Sequence, residues 1–499
     1  MLTRCQQSRC ALALASSLAL AGCGGDEAAT PATTPQADAP YVPWITDAEG
    51  RAMIFHGINV DNRAKVGPEH LPALTQADAA RIAKGWGFDF VRLLVLWDAI
   101  EPQPGQIDEA YLDRVATRVD WLAAEGISVM LDMHQDVYAA QFCCDGAPAW
   151  AVFDDGKSFE LQSTWSVNYL QPAVQAAFDN FWAADGAHPE LQRHYAAAWK
   201  AVAARFRGHP GVVGYDVMNE PFPGSDFDLT EALLRVTPAD GGSSRRFDEQ
   251  KFAPFYQRVI GSIREADPDT WIFFEPRYAA PGNGSPSFVP RLDDPRAGTP
   301  RIAYGPHLYS TLLEANGAYG KTDVAIAAWE AERAKETARW PVPVVIGEWG
   351  LAFGAGDATR FAEETLAMAD RTHAGWAYWS WDPSDAKGWG LFDGATGADN
   401  PSADVVVRPY PRRVAGEPVR WSYDPATRLF ELVVRPRDGV TGATEIYVPA
   451  KRHYPNGWQL SVTPEPAGGV VSSWDAEREI VSLTLDASAS ERTVRVAPK

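Results

Sequence analysis

Eight apolar runs, most of them preceded by an amphipathic stretch of helical character, constrain this chain more than anything else in its sequence. They are "MIFHGINV" (53–60), "FDFVRLLV" (88–95), "ISVMLDMH" (127–134), "VVGYDVMNEP" (212–221), "TWIFFEP" (270–276), "IAYGPHLY" (302–309), "PVVIGEWG" (343–350) and "GWAYWSWD" (375–382). Stretches such as "IDEAYLDRVATRVDWLAAEG" and "ELQRHYAAAWKAVAARFRG" lie between them. Runs rich in Val, Ile and aromatics, alternating with helices, read as parallel βα units. Eight units in about 350 residues fit a (β/α)₈ barrel with insertions, an α/β fold.

The texture changes after "GADNPSAD". From 405 to 499 no helical stretch is evident; short alternating segments such as "RWSYDPATRLFELVVRP" are separated by turn residues. This predicts a C-terminal all-β sandwich at 401–499 that packs on a barrel spanning 44–400, with carbohydrate binding as the alternative role. At the other end, "MLTRCQQSR" is followed by an apolar run too short to span a bilayer, then "LAGC" (20–23). That ending resembles the bacterial lipobox, which implies export and a lipidated Cys23 at residues 1–23. Gly24 in place of Asp favours, by the same resemblance, the outer membrane of a Gram-negative cell. Residues 24–43 read as a flexible, Pro-rich tether. The formal net charge of −20 excludes nucleic acid as the main partner. Cys143 and Cys144, outside the export segment, are adjacent; they form either a vicinal disulfide or two free thiols. No metal-ligand spacing is present, and no cofactor is expected.

The barrel reading places chemistry at the strand ends, where the βα loops build a site. Polar groups gather there: Lys65 beyond the first strand, Arg92 in the second, His134 and Asp136 at the third, Asn219 and Glu220 at the fourth, Glu275 at the fifth, His307 and Tyr309 at the sixth, Glu348 at the seventh, Trp379 and Trp381 at the eighth. Strands four and seven lie across the barrel from each other, so Glu220 and Glu348 can converge over its mouth. Glycoside hydrolysis needs such a pair, one proton donor and one nucleophile or base. Asn219 would bind a sugar hydroxyl beside the scissile bond while Glu220 donates the proton. Glu348 is the expected nucleophile, with Arg92 and Tyr309 contacting its carboxylate. Glu275 reads as a supporting group, and Asp132 and Asp216 as buried hydrogen-bonding groups. Trp349 either stacks on sugar or packs.

"NEP" ending strand four, "GEWG" ending strand seven, the Arg of "VRL", "DMH" and "HLY" together resemble the retaining β-glycosidases of glycoside hydrolase family 5, over residues 50–385. The resemblance implies Glu220 as acid/base, Glu348 as nucleophile, and Arg92, His134, Asn219, His307, Tyr309 and Trp379 lining the subsite of the cleaved sugar; it implies no metal. "LDMHQDVYAAQF", "DGAPAW", "YLQPAV" and the C-terminal β domain are similar to the endoglycoceramidases, which cut between glycan and ceramide. That likeness implies sugar contacts from Lys65, Asp136 and Trp165. Insertions at 137–189 and 222–250 then shape the aglycone side or simply pack as a lid. The expected partners are a glycolipid and a membrane surface reached through the lipid anchor, with the chain a monomer. An endo-β-glycanase acting on polysaccharide and a non-catalytic carbohydrate-binding lipoprotein are the rival readings.

Overall fold

The computed structural model describes residues 44–310, 319–320, 324–437, 439–466, 469–485 and 488–499. Its centre is a sheet of eight parallel strands: β1 His56–Val60, β2 Phe90–Leu96, β3 Ser128–His134, β4 Val212–Asp216, β5 Trp271–Phe274, β6 Ile302–Tyr304, β7 Val345–Trp349 and β8 Gly375–Tyr378. The spatial order is β6-β5-β4-β3-β2-β1-β8-β7. Single bridges Tyr304↔Val344 and Leu308↔Trp349 join β6 to β7 and close the barrel. Helices at 109–124, 190–206, 253–266, 325–339 and 358–372 lie where the amphipathic stretches predict them. Helix 109–124 shows why: Asp108 caps Tyr111 N at 2.8 Å, and Tyr111, Leu112, Val115, Ala116, Val119 and Leu122 form one buried stripe.

Alternation along each strand sorts the interior into layers. Phe90, Met130, Phe273 and Val345 belong to an apolar cluster that fills the N-terminal end of the barrel. Two residues further along β2, β3 and β5 come Arg92, Asp132 and Glu275, so the floor turns ionic directly beneath the mouth. Gly214 makes this filling possible on β4, because a Cβ there would stand 2.3 Å from the Phe273 ring.

The sandwich comprises β9 Tyr410–Val414, β10 Glu417–Asp424, β11 Leu429–Arg435, β12 Thr444–Tyr447, β13 Trp458–Thr463, β14 Val471–Asp475, β15 Ile480–Thr484 and β16 Arg492–Pro498. Its two antiparallel sheets run β9-β12-β15-β14 and β10-β11-β16-β13. The structure differs from the sequence reading at three places. The first apolar run is split: Ala52–Met53 pairs with β9 and extends the sandwich, and the barrel strand begins only at His56. Helix Pro401–Val406 opens the segment expected to be all-β and packs on helix 358–372. One helical turn, Ala450–His453, interrupts the β domain. The sandwich sits at the N-terminal ends of β1 and β2, opposite the mouth: Tyr410 stacks on His56 at 3.8 Å, and Arg413 pairs with Asp89 at 2.7 Å. Cys23 and the tether lie outside the described residues.

Candidate active site

Arg92 organises the mouth. Its guanidinium is fully buried and meets four carboxylates: Asp132 and Asp216 at 2.9 Å, Glu275 at 2.8 Å and Glu348 at 2.6 Å. Burial opposes its charge, but these carboxylates hold its pKa well above the ordinary arginine value. Nη1 also donates to Asn59 Oδ1 at 3.2 Å and Nη2 to Asn219 Oδ1 at 2.9 Å. Arg92 has no exposed surface; it lies beneath Glu348 and orients it. Arg92→Met leaves these buried carboxylates without their shared cation. It should destabilise the barrel by about 3–5 kcal/mol, seen as a lower melting temperature by calorimetry. An unchanged transition would mean that the carboxylates need no counter-charge.

A β-bulge explains how Glu348 enters the mouth. The β7–β8 register slips between Ile346 and Trp349. Val345 faces the barrel interior, whereas Trp349, four residues on, packs outward against Trp376 and Tyr378. The extra residue re-aims Glu348 inward. Tyr309 Oη donates to Glu348 Oε2 at 2.9 Å. Trp349 is therefore a packing residue and offers no face to a sugar.

Glu220 lies beyond the end of β4, at φ +42°, a left-handed conformation uncommon for a non-glycine residue. Three contacts hold it there. Its N–H donates to Glu275 Oε2 at 2.9 Å, its carbonyl accepts from Gln135 Nε2 at 3.0 Å, and its Oε1 accepts from His307 Nδ1 at 3.0 Å. Such strain persists where surrounding contacts over-determine it, and it clusters at functional sites. Burial raises the Glu220 pKa above its ordinary value; the His307 contact opposes this, and the negative charge of Glu348 adds to it. His307 is held as a cation despite its burial, because Glu275, Glu348 and Glu220 surround it. Carboxylate oxygens of Glu220 and Glu348 and a ring nitrogen of His307 all lie within 4.8 Å of one another. So close an approach of one oxygen from each side suits a retaining pair, whose carboxyl groups stand ~5–5.5 Å apart, better than an inverting pair at ~6.5–9.5 Å.

A second wall forms beside the pair. Lys65 Nζ bonds Asp136 Oδ2 at 2.6 Å and sits 4.4 Å from the Trp379 ring centroid. His134 stacks on Trp379 at 5.9 Å and donates from Nδ1 to Asp132 at 2.6 Å, so its pKa rises to about 9 although burial alone would lower it. Asn219 Nδ2 donates to Gln135 O at 3.0 Å. Trp381 is instead buried against Trp86 and Phe392, so Trp379 is the tryptophan of the mouth. Trp165 stands apart on the exposed rim, touching Tyr169. The fold brings together acidic and histidine clusters that no sequence spacing reveals: His134, Asp136 and Asp145; Glu220, His307 and Glu348; Asp132, Asp216 and Glu275. Each contains or touches a protein cation, respectively Lys65, His307 and Arg92.

Two glutamates across the mouth of such a barrel, one with its pKa raised by burial and one held on arginine and tyrosine, define a glycosidase site. The family comparisons agree. The model described as "Cellulase (glycosyl hydrolase family 5)" matches residues 46–385, and "Glycoside hydrolase family 5 C-terminal domain" matches 408–497. Endoglycoceramidase I of Rhodococcus hoagii (strain 103S) is 34% identical over 476 residues, covering 92% of this chain and 87% of that one. The structure of endo-glycoceramidase II from Rhodococcus sp. with ganglioside GM3 is 37% identical and superposes with a TM-score of 0.82, covering 91% of this chain and 99% of that one. The lactosyl-enzyme intermediate of the same enzyme is 38% identical, with a TM-score of 0.80 and the same coverage. The chain belongs to glycoside hydrolase family 5.

Proposed function

We propose that this protein is an endoglycoceramidase, a retaining hydrolase of the β-bond between the glycan and ceramide of glycosphingolipids. The observation that carries the chemistry is the close approach of Glu220 and Glu348, with their opposite settings. Glu348 attacks the anomeric carbon while Glu220 passes its proton to the glycosidic oxygen, and ceramide leaves as the alcohol. The bond to Glu348 removes its negative charge, which lowers the Glu220 pKa. Glu220 then takes a proton from water, whose oxygen attacks the anomeric carbon and releases the glycan from Glu348. Lys65, Asp136, His134, Asn219, Tyr309 and Trp379 hold the first sugar, with Trp165 at its border.

Support for the lipid side comes from the relatives named above and from the two insertions. Leu161, Trp165 and Val167 on the first, and Leu229, Leu233 and Leu234 on the second, are exposed. Between these segments Tyr169, Phe222, Phe227 and Tyr278 pack as one aromatic cluster that reaches Gln135, the residue holding the Glu220 carbonyl. Apolar surface beside a sugar site suits an amphiphilic substrate. We further propose export, anchoring through a lipidated Cys23 on the cell envelope, and action as a monomer; mass spectrometry of the mature N-terminus would find Cys23 acylated and first.

Product analysis tests the activity. The protein lacking residues 1–23 is incubated with a ganglioside, a galactosylceramide and cellulose or mannan oligomers. Release of intact oligosaccharide plus ceramide is the expected result. Cleavage of the polysaccharide oligomers alone would establish the glycanase reading instead.

A further inference from the structure

We propose that the disulfide-bonded pair Cys143–Cys144 is a positioning element for sugar recognition: it locks the hairpin that presents Asp136, and opening it weakens substrate binding while sparing the two glutamates. This rests on the reading that Asp136, Lys65 and Trp165 meet the first sugar.

The two cysteines are bonded and reach solvent at the rim. The next residue, Asp145, pairs with Asp136 through both backbone bonds, each 3.2 Å. The hairpin between them is tightly folded. Val137, Tyr138 and Cys143 have φ of +54°, +72° and +111°, three non-glycine residues in the left-handed half of conformational space. Gly146 follows at φ +124°, where a Cβ would stand 2.6 Å from Gln135. A chain bent this way holds its shape only where something fixes it. The covalent bond closes a ring on residues 143 and 144 and so fixes the left-handed backbone of Cys143, in the exposed part of the hairpin next to the Asp145–Asp136 pairing.

The same bond reaches a second group. Asn168 is fully buried, and its Nδ2 donates to Cys143 Sγ at 3.7 Å and to the Trp165 carbonyl at 2.9 Å. Asn168 thus links the sulfur that the disulfide positions to the segment that carries Trp165. Asp145 extends the coupling inward. Both its carboxylate oxygens are buried without a hydrogen-bond partner, and one lies within 4.8 Å of Asp136 and His134. A shift of residues 143–145 therefore moves a buried carboxyl, whose pKa burial raises to about 7, against the pair Lys65–Asp136. Gln135 touches the hairpin through Tyr138 N, but it is also held by the carbonyls of Asn219 and Glu220, and Glu220 has its own contacts outside the hairpin, to Glu275 and His307. This is why binding, and not the glutamate geometry, should respond.

The test compares the oxidised protein, the protein reduced by a phosphine and the double variant Cys143→Ser/Cys144→Ser on a soluble aryl β-lactoside. The phosphine takes its oxide oxygen from water, and the disulfide gains two electrons and two protons to give two thiols, counted by titration. Both altered forms should raise KM about tenfold and leave kcat within about twofold, since a small misplacement of a positioning group costs on this scale. If the double variant does not fold, the reduced wild type decides. Two titrated thiols with an unchanged KM would overturn the proposal. Asp136→Ala, run alongside, should raise KM at least as far; if it does not, the sugar reading fails and this inference fails with it.

Discussion

Replacing Glu348 by Gln should lower turnover of a glycolipid by at least about 10⁴-fold, with little change in melting temperature. The amide fills the same volume and still offers an oxygen to Arg92, which now sits 2.6 Å from Glu348 Oε1. The amide nitrogen can donate to Tyr309 Oη, which donates to Glu348 Oε2 in the native site. Arg92 keeps Asp132, Asp216 and Glu275, so no buried cation is stranded. What disappears is the nucleophile, and no neighbouring group replaces it: His307 is cationic and already pairs with Glu220 and Glu275. This contrasts with Arg92→Met, where stability should fall. Steady-state kinetics and calorimetry on both variants separate the two roles. More than about 1% residual turnover in pure Glu348→Gln would mean that another group attacks the sugar.

The site was legible in the sequence to the extent that it follows from strand ends. Glu220, Glu348, His307, Tyr309 and Trp379 stand close together because parallel strands deliver their C-terminal ends to one face, a rule of topology. What stayed hidden depends on single-residue geometry. "IGEW" is buried on both faces, so its pattern cannot say whether Glu348 or Trp349 turns inward; the bulge decides, and a bulge has no local signature here. The left-handed φ of Glu220 is invisible for the same reason. Arg92 was read as a contact of the Glu348 carboxylate and, by resemblance, as a subsite residue. Its placement beneath the site follows from Asp132, Asp216 and Glu275 converging from three other strands, which no spacing along the chain records. Asp145 lies within "DGAPAW" but was given no role: it reaches Asp136 through a hairpin that ends at a disulfide the sequence left as one of two options. Met53 was read with the first barrel strand because it continues that apolar run, and only its pairing with β9 separates it.

Glu220→Gln should split by leaving group. Ceramide leaves as an alkoxide unless it is protonated, so glycolipid turnover should drop by about 10²–10⁴-fold. A dinitrophenyl glycoside leaves without help, so its glycosylation step should proceed near the wild-type rate. The second step then stalls, because water has lost its base; the covalent intermediate on Glu348 accumulates and appears as a burst of phenol. Azide, an anion that needs no base, should restore turnover and yield the glycosyl azide. The variant should hold its geometry, since His307 can donate to the amide oxygen and the backbone contacts to Glu275 and Gln135 do not involve the side chain. The pH dependence follows from the sign of the shift. Burial raises the Glu220 pKa, so the donor form persists above the ordinary glutamate range and is lost as pH rises through the raised value. Wild-type kcat/KM on glycolipid should therefore fall on the alkaline side, and the first step of Glu220→Gln on the dinitrophenyl substrate should lack that limb. Glu348 contributes to the shift while it is charged, so forming the glycosyl bond to it lowers the Glu220 pKa at the moment a base is required. Equal losses on both substrates, with the alkaline limb intact, would show that the proton comes from elsewhere, and His307, 3.0 Å from Glu220 Oε1, would be the group to test next.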